Sequence, residues 1–349
     1  MDGRPRARRP PPADDGGAGP DGRGAQRRRG GGDLPGRRPV RPGRRLSDEQ
    51  RLGQRAQPRR WHEVLGRRRQ GHGQRGRAAG PGGVSTGYRP LVFAHRGGAD
   101  ALPEHTLGAY LRALQDGVDG LECDVRLTRD GHLVCFHDRK LDRTSNGRGL
   151  VSRRTLAELD ELDYGSWHPG YPADEPDEDL SRLLTLERLL EAVRDCGRAV
   201  RLLIETKHPS VYGAEVERRL VKLLRRYGLA DPKPDDPVQV TVMSFAALAL
   251  RRIRAQAPGL PTVYLLEVLP PMVGKGRLPF GARIAGPGVD LVRARSGLPA
   301  AMRAAGHQTY VWTVNRPDDL DLVLRHRVDG VISDRPKFVL DRLAELDHV

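Results

Sequence analysis

Charged and polar side chains that could do chemistry follow short apolar runs at six points of the chain. In order, these motifs are His95-Arg96-Gly97-Gly98, Glu122-Cys123-Asp124, His137-Asp138, Glu205-Thr206-Lys207, Trp312-Thr313-Val314-Asn315 and Ser333-Asp334. Carboxylates without a cysteine-rich ligand set suit a hard divalent cation such as Ca²⁺ or Mg²⁺. Two histidines can exchange protons near neutral pH, and Arg96 and Lys207 add positive charge for an anion. The combination predicts cleavage of a phosphodiester at a metal ion.

The same residues also have structural interpretations, and the sequence leaves these open one by one. The alternatives are hydrogen-bonded strand-end histidines, caps or ion pairs at Glu122 and Asp124, a Glu205–Lys207 pair, N-caps at Ser244 and Asp334, and a core position for Trp312. The functional interpretation therefore depends on whether these positions meet in space.

The elements that must position these residues alternate regularly after Thr86. Short apolar runs and amphipathic stretches follow one another, which is typical of a parallel sheet with crossover helices. We predict strands near Leu91–His95, Gly120–Val125, Arg201–Thr206, Val238–Ser244, Thr262–Leu266, Leu291–Arg293, Thr309–Val314 and Gly330–Ser333. Eight right-handed crossover units favour the α/β class and a TIM-type (β/α)₈ barrel, whose active sites lie at the C-terminal ends of the strands.

Two departures from an ideal barrel are predicted after the second strand. His132–Phe136 is an additional strand, and Arg139–Leu184 is an insertion with a short helix at Thr155–Leu162 and an acidic loop at Tyr171–Asp179. Long insertions of this kind usually cover or shape a site. The remaining helices are predicted at Thr106–Asp116, Leu186–Cys196, Tyr212–Tyr227, Phe245–Ala257, Pro299–Ala305, Pro317–His326 and Pro336–Leu346.

Strand geometry decides which of the polar side chains share a face. Successive residues alternate between faces, so Glu122 and Asp124 lie on one side and Cys123 on the other. Glu205 and Lys207 share a face for the same reason. Zinc, which favours cysteine and histidine ligands, is less suited to this set than Ca²⁺ or Mg²⁺.

The motifs together resemble those of the glycerophosphodiester phosphodiesterase family. The resemblance is carried by AHRGG, LPEHTLGAY, GLECDVRLTRDGHLVCFHDRKLDRTSNGRG, LLIETKHP, YVWTVN and VDGVISDRP, which occur in the family's order between about Pro90 and Leu340. The first motif is weakly specific by itself, whereas the whole series is strongly specific.

The resemblance implies a role for each matching residue. It implies metal ligation by Glu122, Asp124 and Glu205, an acid–base pair of His95 and His137, phosphate binding by Arg96 and Lys207, a supporting role for Glu104, and Trp312 in the glycerol or alcohol pocket. His105 stands where the family usually has asparagine, so its role is open. The insertion corresponds to the family's cap, with Tyr164-Gly165-Ser166-Trp167 as its most recognisable part.

The expected activity is metal-dependent hydrolysis of a glycerophosphodiester to sn-glycerol 3-phosphate and an alcohol, with Ca²⁺ or Mg²⁺ as cofactor and Mn²⁺ as a third candidate. One rival is a lysophospholipase D acting on lipids with the same residues. Another is an inactive barrel that binds nucleic acid or an anionic surface through a basic tail. The sequence specifies neither the alcohol, nor which histidine is the base, nor the oligomeric state.

The basic character of the chain is confined to its first 86 residues. They contain 22 arginines, no lysine and 8 acidic residues, a net charge of +14, whereas the whole chain has +15. Their Gly, Pro and Arg content predicts disorder. Three interpretations stay open: an extension outside the functional protein, an electrostatic tether, or a small domain around Trp61–Leu65. Interleaved aromatic residues are missing from the segment, which argues against specific nucleic-acid binding.

The remaining composition bears on the cellular compartment. Cys123, Cys135 and Cys196 are odd in number and lack a CxxC spacing, which is typical of reduced thiols. The sequence contains neither an apolar run of membrane-spanning length nor a hydrophobic signal core. We therefore expect a cytoplasmic protein with a small-molecule substrate.

Overall fold

A computed structural model describes residues 88–174 and 177–347. The predicted disordered tail, 1–86, and its boundary with the barrel domain at residue 87 lie outside the described residues and stay predictions. Within the described residues, no helix combines the length and apolar character that crossing a bilayer requires.

Nine strands form the sheet, and eight of them close into a parallel barrel. The strands are β1 Leu91–Ala94, β2 Gly120–Leu127, β3 Leu133–Cys135, β4 Val200–Thr206, β5 Val238–Ser244, β6 Thr262–Leu266, β7 Ile284–Pro287, β8 Gln308–Val311 and β9 Gly330–Ser333. The order is β1-β9-β8-β7-β6-β5-β4-β2, and β1 also pairs with β2, which closes the ring. β3 pairs antiparallel with β2 outside the ring. The predicted (β/α)₈ barrel and its additional strand are confirmed.

Helices cover the barrel and connect its strands. They are α1 Leu107–Asp116, α2 Leu156–Asp160, α3 Glu178–Ser181, α4 Leu186–Arg194, α5 Glu215–Arg226, α6 Ala247–Gln256, α7 Pro271–Gly274, α8 Val289–Ala294, α9 Leu298–Ala304, α10 Pro317–Arg325 and α11 Pro336–Leu346. Proline occupies the first turn of α9, α10 and α11, where its missing N–H has no intrahelical partner to lose.

The barrel interior is filled by side chains rather than open. One buried cluster takes a residue from almost every strand: Phe93, Leu203, Met243, Val263, Leu265, Ile284, Tyr310 and Ile332. Burial of such side chains stabilises the fold by about 25 cal/mol for each Å² of apolar surface that is removed from water. This packed interior fixes the strand ends above it, where the polar motifs lie.

The insertion after β3 has a small core of its own. Val134, Phe136, Leu141, Val151, Leu156, Leu159, Tyr164 and Leu183 form one buried cluster. Its helix α2 is two residues shorter at its C-terminal end than predicted and begins with a capping box, in which Thr155 and Glu158 satisfy each other's backbone N–H groups. The insertion is therefore a packed unit that can present side chains to the barrel rim.

The sixth predicted barrel strand is wrong. Leu291–Arg293 lies inside helix α8, whereas the strand is Ile284–Pro287. Val289 and Val292 are buried at helical spacing. The strand has a glycine at Gly286 because a Cβ there would lie 2.7 Å from the side chain of Val263. The small residues of this crowded strand give it little strand character in the sequence. The valines of the following helix α8 have high strand propensity and therefore account for the wrong strand prediction.

Two predicted helix caps are also wrong. Helix α6 begins at Ala247 and has no side-chain cap, while the Ser244 hydroxyl donates to the Thr206 carbonyl at 2.9 Å. Helix α11 has Arg335 at its N-cap, and the Asp334 carboxylate instead faces a histidine. The second correction strengthens the functional interpretation of Asp334.

Candidate active site

The polar motifs meet at the C-terminal rim of the barrel. Strand β1 ends at Ala94, and the chain turns at once through His95–Gly97. Arg96 adopts a left-handed conformation, with φ of 51°, and Gly97 has φ of 90°. A Cβ on Gly97 would lie 3.0 Å from the Cβ of Ala109, so glycine permits this turn to pack against α1. The turn directs His95 and Arg96 into the rim.

Three buried carboxylates lie together on this rim. Asp124 on β2 and Glu205 on β4 are paired in register, and Glu122 lies one alternation earlier on β2. One oxygen from each carboxylate lies within 4.8 Å of the others. The exposed fractions of Glu122, Asp124 and Glu205 are 1%, 1% and 7%. Such crowding of buried negative charge is unfavourable unless cations or protons compensate it.

Two basic side chains compensate part of that charge. Lys207 Nζ lies 3.2 Å from Asp124 Oδ1 and 2.9 Å from Glu205 Oε1. Arg96 Nε lies 3.3 Å from Asp124 Oδ2, and the Arg96 backbone N–H donates to Glu122 at 3.0 Å. The predicted Glu205–Lys207 ion pair thus exists, but as part of a larger cluster.

The electrostatics of the cluster favour the binding of a cation. Burial and the neighbouring carboxylate of Asp124 raise the pKa of Glu205 to about 8, and burial with both neighbours raises the pKa of Glu122 well above its usual range. Burial also acts to raise the pKa of Asp124, but Lys207, His105 and Arg96 outweigh it and hold that pKa well below 3.8. All three donors are hard oxygens, which fits Ca²⁺ or Mg²⁺. The residues present therefore suit the predicted metal.

His95 faces the cluster with its orientation fixed from behind. Its Nδ1 lies 2.6 Å from Asp334 Oδ1, and its Nε2 lies 3.9 Å from Glu122 Oε2. Asn315 holds Asp334 in turn, because its amide donates to the carboxylate at 2.7 Å and accepts from the Asp334 backbone N–H at 2.9 Å. An Asp–His pair of this kind orients an imidazole for proton transfer.

His137 enters the same cleft from beyond β3. Its Nδ1 lies 2.7 Å from Asp138 Oδ1, and its carbonyl accepts from Arg126 Nε and Nη2 at 2.9 and 2.6 Å. Burial lowers the pKa of His137 to about 4; Asp124 opposes this, while Lys207 and Arg96 reinforce it. Its imidazole is therefore neutral at pH 7 and able to accept a proton.

Arg143 connects the insertion with the rim, a contact that sequence reasoning missed. Its guanidinium donates to both oxygens of Glu104, at 2.8 and 2.7 Å, and to Asp138 Oδ2 at 2.8 Å. Glu104 also accepts from Arg96 Nη1 at 3.2 Å. Glu104 thus lies behind Arg96 rather than in the carboxylate cluster, which agrees with its predicted supporting position.

His105, whose role the sequence left open, contacts the carboxylate cluster directly. Its Nε2 lies 2.9 Å from Asp124 Oδ2 and its Nδ1 lies 2.8 Å from the Tyr110 hydroxyl. Its backbone has φ of 60°, a region in which Asn and His are enriched among residues other than glycine. The tolerance of both Asn and His for a positive φ is the feature of the sequence that could have predicted the backbone conformation at this position.

A cleft of about 490 Å³ opens beside the cluster. Its lining combines polar residues, among them both histidines, Lys207 and Arg96, with the apolar residues Met243, Phe245, Leu265, Trp312 and Ile332. Trp312 Nε1 donates to the Gly286 carbonyl at 2.7 Å, and its ring meets Phe245 edge to face at 5.4 Å. Trp312 is thus half-buried and lines the cleft, and its place in a glycerol or alcohol pocket stays a prediction.

Comparison with known proteins agrees with this geometry. Residues 95–338 match the model of the glycerophosphoryl diester phosphodiesterase family. The probable glycerophosphodiester phosphodiesterase 1 of Mycobacterium tuberculosis is 49% identical over 232 residues, covering 66% of this chain and 84% of that protein. The glycerophosphodiester phosphodiesterase of Bacillus subtilis is 34% identical over 263 residues, covering 74% and 88%.

Solved structures give the same result. A phosphodiesterase from Oleispira antarctica, in complex with the product sn-glycerol-3-phosphate, superposes with a TM-score of 0.61 and 26% identity, covering 73% of this chain and 97% of that one. A crystal structure described as a putative glycerophosphoryl diester phosphodiesterase from Silicibacter pomeroyi has a TM-score of 0.61 and 25% identity, covering 75% and 95%. With the motifs in place on the barrel rim, these matches show that the chain belongs to the glycerophosphoryl diester phosphodiesterase family.

Proposed function

We propose that the protein hydrolyses glycerophosphodiesters to sn-glycerol 3-phosphate and an alcohol. The observation that carries the proposal is one cleft in which two histidines, each paired with an aspartate, face three buried carboxylates. The product complex of the Oleispira relative supports the same product. The apolar residues that line the cleft, Trp312 among them, would suit the carbon skeleton of glycerol.

The metal belongs to this proposal. Glu122, Asp124 and Glu205 would hold one divalent cation, Ca²⁺ or Mg²⁺ with Mn²⁺ as a third candidate, which would supply positive charge to the phosphate and acidify a nearby hydroxyl. Arg96 and Lys207, which lie at the edge of the cluster, would add fixed positive charge for the phosphate oxygens.

The two histidines would move the protons. His137, neutral at pH 7, takes the proton of the glycerol 2-hydroxyl, and that oxygen attacks phosphorus. His95, oriented by Asp334, gives a proton to the alcohol oxygen as its bond to phosphorus breaks. Water then opens the cyclic phosphate with the two roles reversed, giving sn-glycerol 3-phosphate.

A substrate analogue without the 2-hydroxyl tests this route. The phosphodiester of propan-1-ol and choline has no free hydroxyl that could attack phosphorus, so we expect no cleavage while glycerophosphocholine is hydrolysed. Phosphorus NMR with both compounds at equal concentration makes the comparison. Cleavage of the analogue at a similar rate would mean that water attacks the diester directly.

A second candidate is hydrolysis of lysophospholipids, with the choline or another alcohol released at a lipid surface. Exposed apolar side chains follow β5 and β6: Phe245, which lines the cleft, and Leu248, Val268 and Met272 are 38%, 53%, 74% and 41% exposed. They could accept an acyl chain. Turnover of lysophosphatidylcholine that falls in Val268→Glu, with glycerophosphocholine turnover unchanged, would support this candidate.

A further inference from the structure

A buried histidine and tyrosine lie directly beneath the carboxylate cluster. His105 is 4% exposed and Tyr110 is fully buried. The imidazole contacts Asp124 Oδ2 at 2.9 Å through Nε2 and the Tyr110 hydroxyl at 2.8 Å through Nδ1. The same hydroxyl lies 3.0 Å from the backbone carbonyl of Glu122. The pair, here named the His–Tyr brace, therefore connects two of the three carboxylate residues.

The chemistry of the side chains determines which atom donates in the contact between His105 and Asp124. A carboxylate only accepts, so His105 Nε2 must carry the proton that it shares with Asp124. The Tyr110 hydroxyl has a single proton to donate, and both His105 Nδ1 and the Glu122 carbonyl lie within hydrogen-bond distance of it, at 2.8 and 3.0 Å. The hydroxyl therefore connects the ring of His105 with the backbone of strand β2.

The brace is held firmly by the backbone around it. The His105 N–H donates to the Arg96 carbonyl at 2.9 Å. Thr106, the next residue, caps helix α1 and accepts from the Ala109 N–H. Tyr110 lies on the buried face of that helix. The position of Asp124 Oδ2 is thus tied to the start of α1.

We propose that the His–Tyr brace fixes the orientation of the Asp124 carboxylate and thereby sets the affinity and selectivity of the cation site. The inference rests on the proposed metal-dependent function. His105 holds Oδ2, while Lys207 contacts Oδ1 at 3.2 Å. Both oxygens are therefore constrained before a cation binds. His105 is a positioning residue, since it contacts the ligand rather than the substrate.

Rigidity should matter differently for the two candidate cations. Mg²⁺ demands near-ideal octahedral geometry, whereas Ca²⁺ accepts six to eight oxygens in flexible arrangements. A loosened Asp124 would therefore weaken Mg²⁺ binding more than Ca²⁺ binding. The ratio of the two affinities separates a positioning role from a general effect on folding.

Two substitutions at His105 distinguish loss of the side-chain contact with Asp124 from strain caused by the positive φ at this position. In His105→Gln the side-chain amide nitrogen can reach the place of Nε2, so the contact with Asp124 is kept. In His105→Asn the shorter amide matches Nδ1 and stops short of Asp124, although asparagine tolerates the positive φ. Tyr110→Phe removes only the hydroxyl. Tyr88→Phe is the matched control, because it removes a hydroxyl that donates to the Val328 carbonyl at 2.8 Å, far from the rim.

The experiment is calorimetric titration of EDTA-treated full-length protein with Ca²⁺ and with Mg²⁺, without substrate. We expect His105→Asn to weaken Mg²⁺ binding by about 10- to 100-fold and Ca²⁺ binding by less. Tyr110→Phe should also weaken Mg²⁺ binding more than Ca²⁺ binding, and His105→Gln and Tyr88→Phe should stay close to the unsubstituted protein. Thermal unfolding in EDTA checks that each variant is folded.

Unchanged affinities and an unchanged Ca²⁺ to Mg²⁺ ratio in His105→Asn would overturn the proposal, as would equal losses in the glutamine and asparagine variants. Should His105→Asn not fold, an unchanged ratio in Tyr110→Phe overturns it instead. Failure of the unsubstituted protein to bind any divalent cation would contradict the proposed metal-dependent function itself. The two failures are therefore distinguishable.

Discussion

Single side chains in the cleft are arranged so that each reacting group has a partner behind it. Asp334 lies behind His95, Asp138 behind His137, and Glu104 behind Arg96. Such partners fix the orientation of the imidazole or guanidinium group. Little reorganisation is then needed during the reaction, because the side chains are already in position. Such an arrangement would let one rim hold both the proposed cation site and the two proposed proton-transfer groups.

Removal of either histidine should abolish most of the activity without unfolding the protein. We expect His95→Ala and His137→Ala each to reduce kcat by about 10²- to 10⁴-fold, because each provides one of two proton transfers. A stopped assay for sn-glycerol 3-phosphate and a thermal melt of each variant make the test. Activity close to that of the unsubstituted enzyme in either variant would remove that histidine from the mechanism.

The raised pKa of Glu205 predicts a pH dependence for the metal-free protein. Because this pKa is about 8 in the folded state and about 4.3 in an unfolded chain, its contribution to stability is complete below the lower value. It is lost as the pH rises through about 8. The metal-free protein should therefore melt at a lower temperature at pH 8.5 than at pH 6.5.

Cation binding follows the opposite trend. A cation must displace the proton on the cluster, so its affinity should increase as the pH rises toward about 8. Glu205→Gln should reduce this dependence and weaken binding, as measured by calorimetric titration at several pH values. A cation affinity that does not vary between pH 6 and pH 8.5 would contradict the raised pKa of Glu205.

At this scale, the sequence predicted the residues that belong to the strand-end motifs. It did not predict the residues that contact the site only through another side chain. The carboxylates and histidines follow apolar strands in a recognisable order, so their spacing predicts a common rim. Arg143 and Tyr110 have no such signature, because an arginine in an insertion and a tyrosine on a helix are usually surface and core residues. Their contacts depend on the three-dimensional packing of the insertion and of α1.

At the scale of elements, the alternation of strands and helices was sufficient to predict the closed barrel. The weak point was β7, whose residues Ile284–Pro287 include Gly286 in a crowded position. Composition favoured the valines and leucine of α8 instead, because helix and strand cannot be separated by periodicity in so short a run. A correct strand count thus coexisted with one misplaced strand.

The insertion is the element whose contribution to activity is most open to test. Arg143→Lys keeps the charge but loses the forked contact with Glu104 and Asp138. We expect kcat/KM to fall by about 10-fold, because both Arg96 and His137 lose a partner's support. Arg148→Lys, an exposed arginine of the same insertion, is the matched control. Equal values for both variants would show that the insertion does not support the cleft in this way.

At the scale of the whole chain, charge and chemistry are separated. Residues 1–86 have a net charge of +14, and the remainder has 38 basic and 37 acidic residues. The described residues that line the active-site cleft all belong to the nearly neutral part. Cys123, Cys135 and Cys196 are free thiols, and a cytoplasmic location stays a prediction.

Deletion of residues 1–86 should separate the two properties. We expect kcat/KM for a glycerophosphodiester to be unchanged, while weak, salt-sensitive retention on duplex DNA is lost with the arginines. Kinetics and a DNA-binding titration over a range of salt concentrations test both parts. Lost diesterase activity in the truncated protein, or sequence-specific DNA binding by the full chain, would contradict this separation.

The central claim is that this rim cleaves a glycerophosphodiester with the help of a divalent cation. Full-length protein treated with EDTA should be incubated with glycerophosphocholine, before and after addition of Ca²⁺, Mg²⁺ or Mn²⁺, and the products followed by phosphorus NMR. The predicted result is sn-glycerol 3-phosphate and choline only when a cation is restored. Formation of phosphocholine and glycerol, no cleavage with any of the three cations, or equal rates with and without them would contradict it.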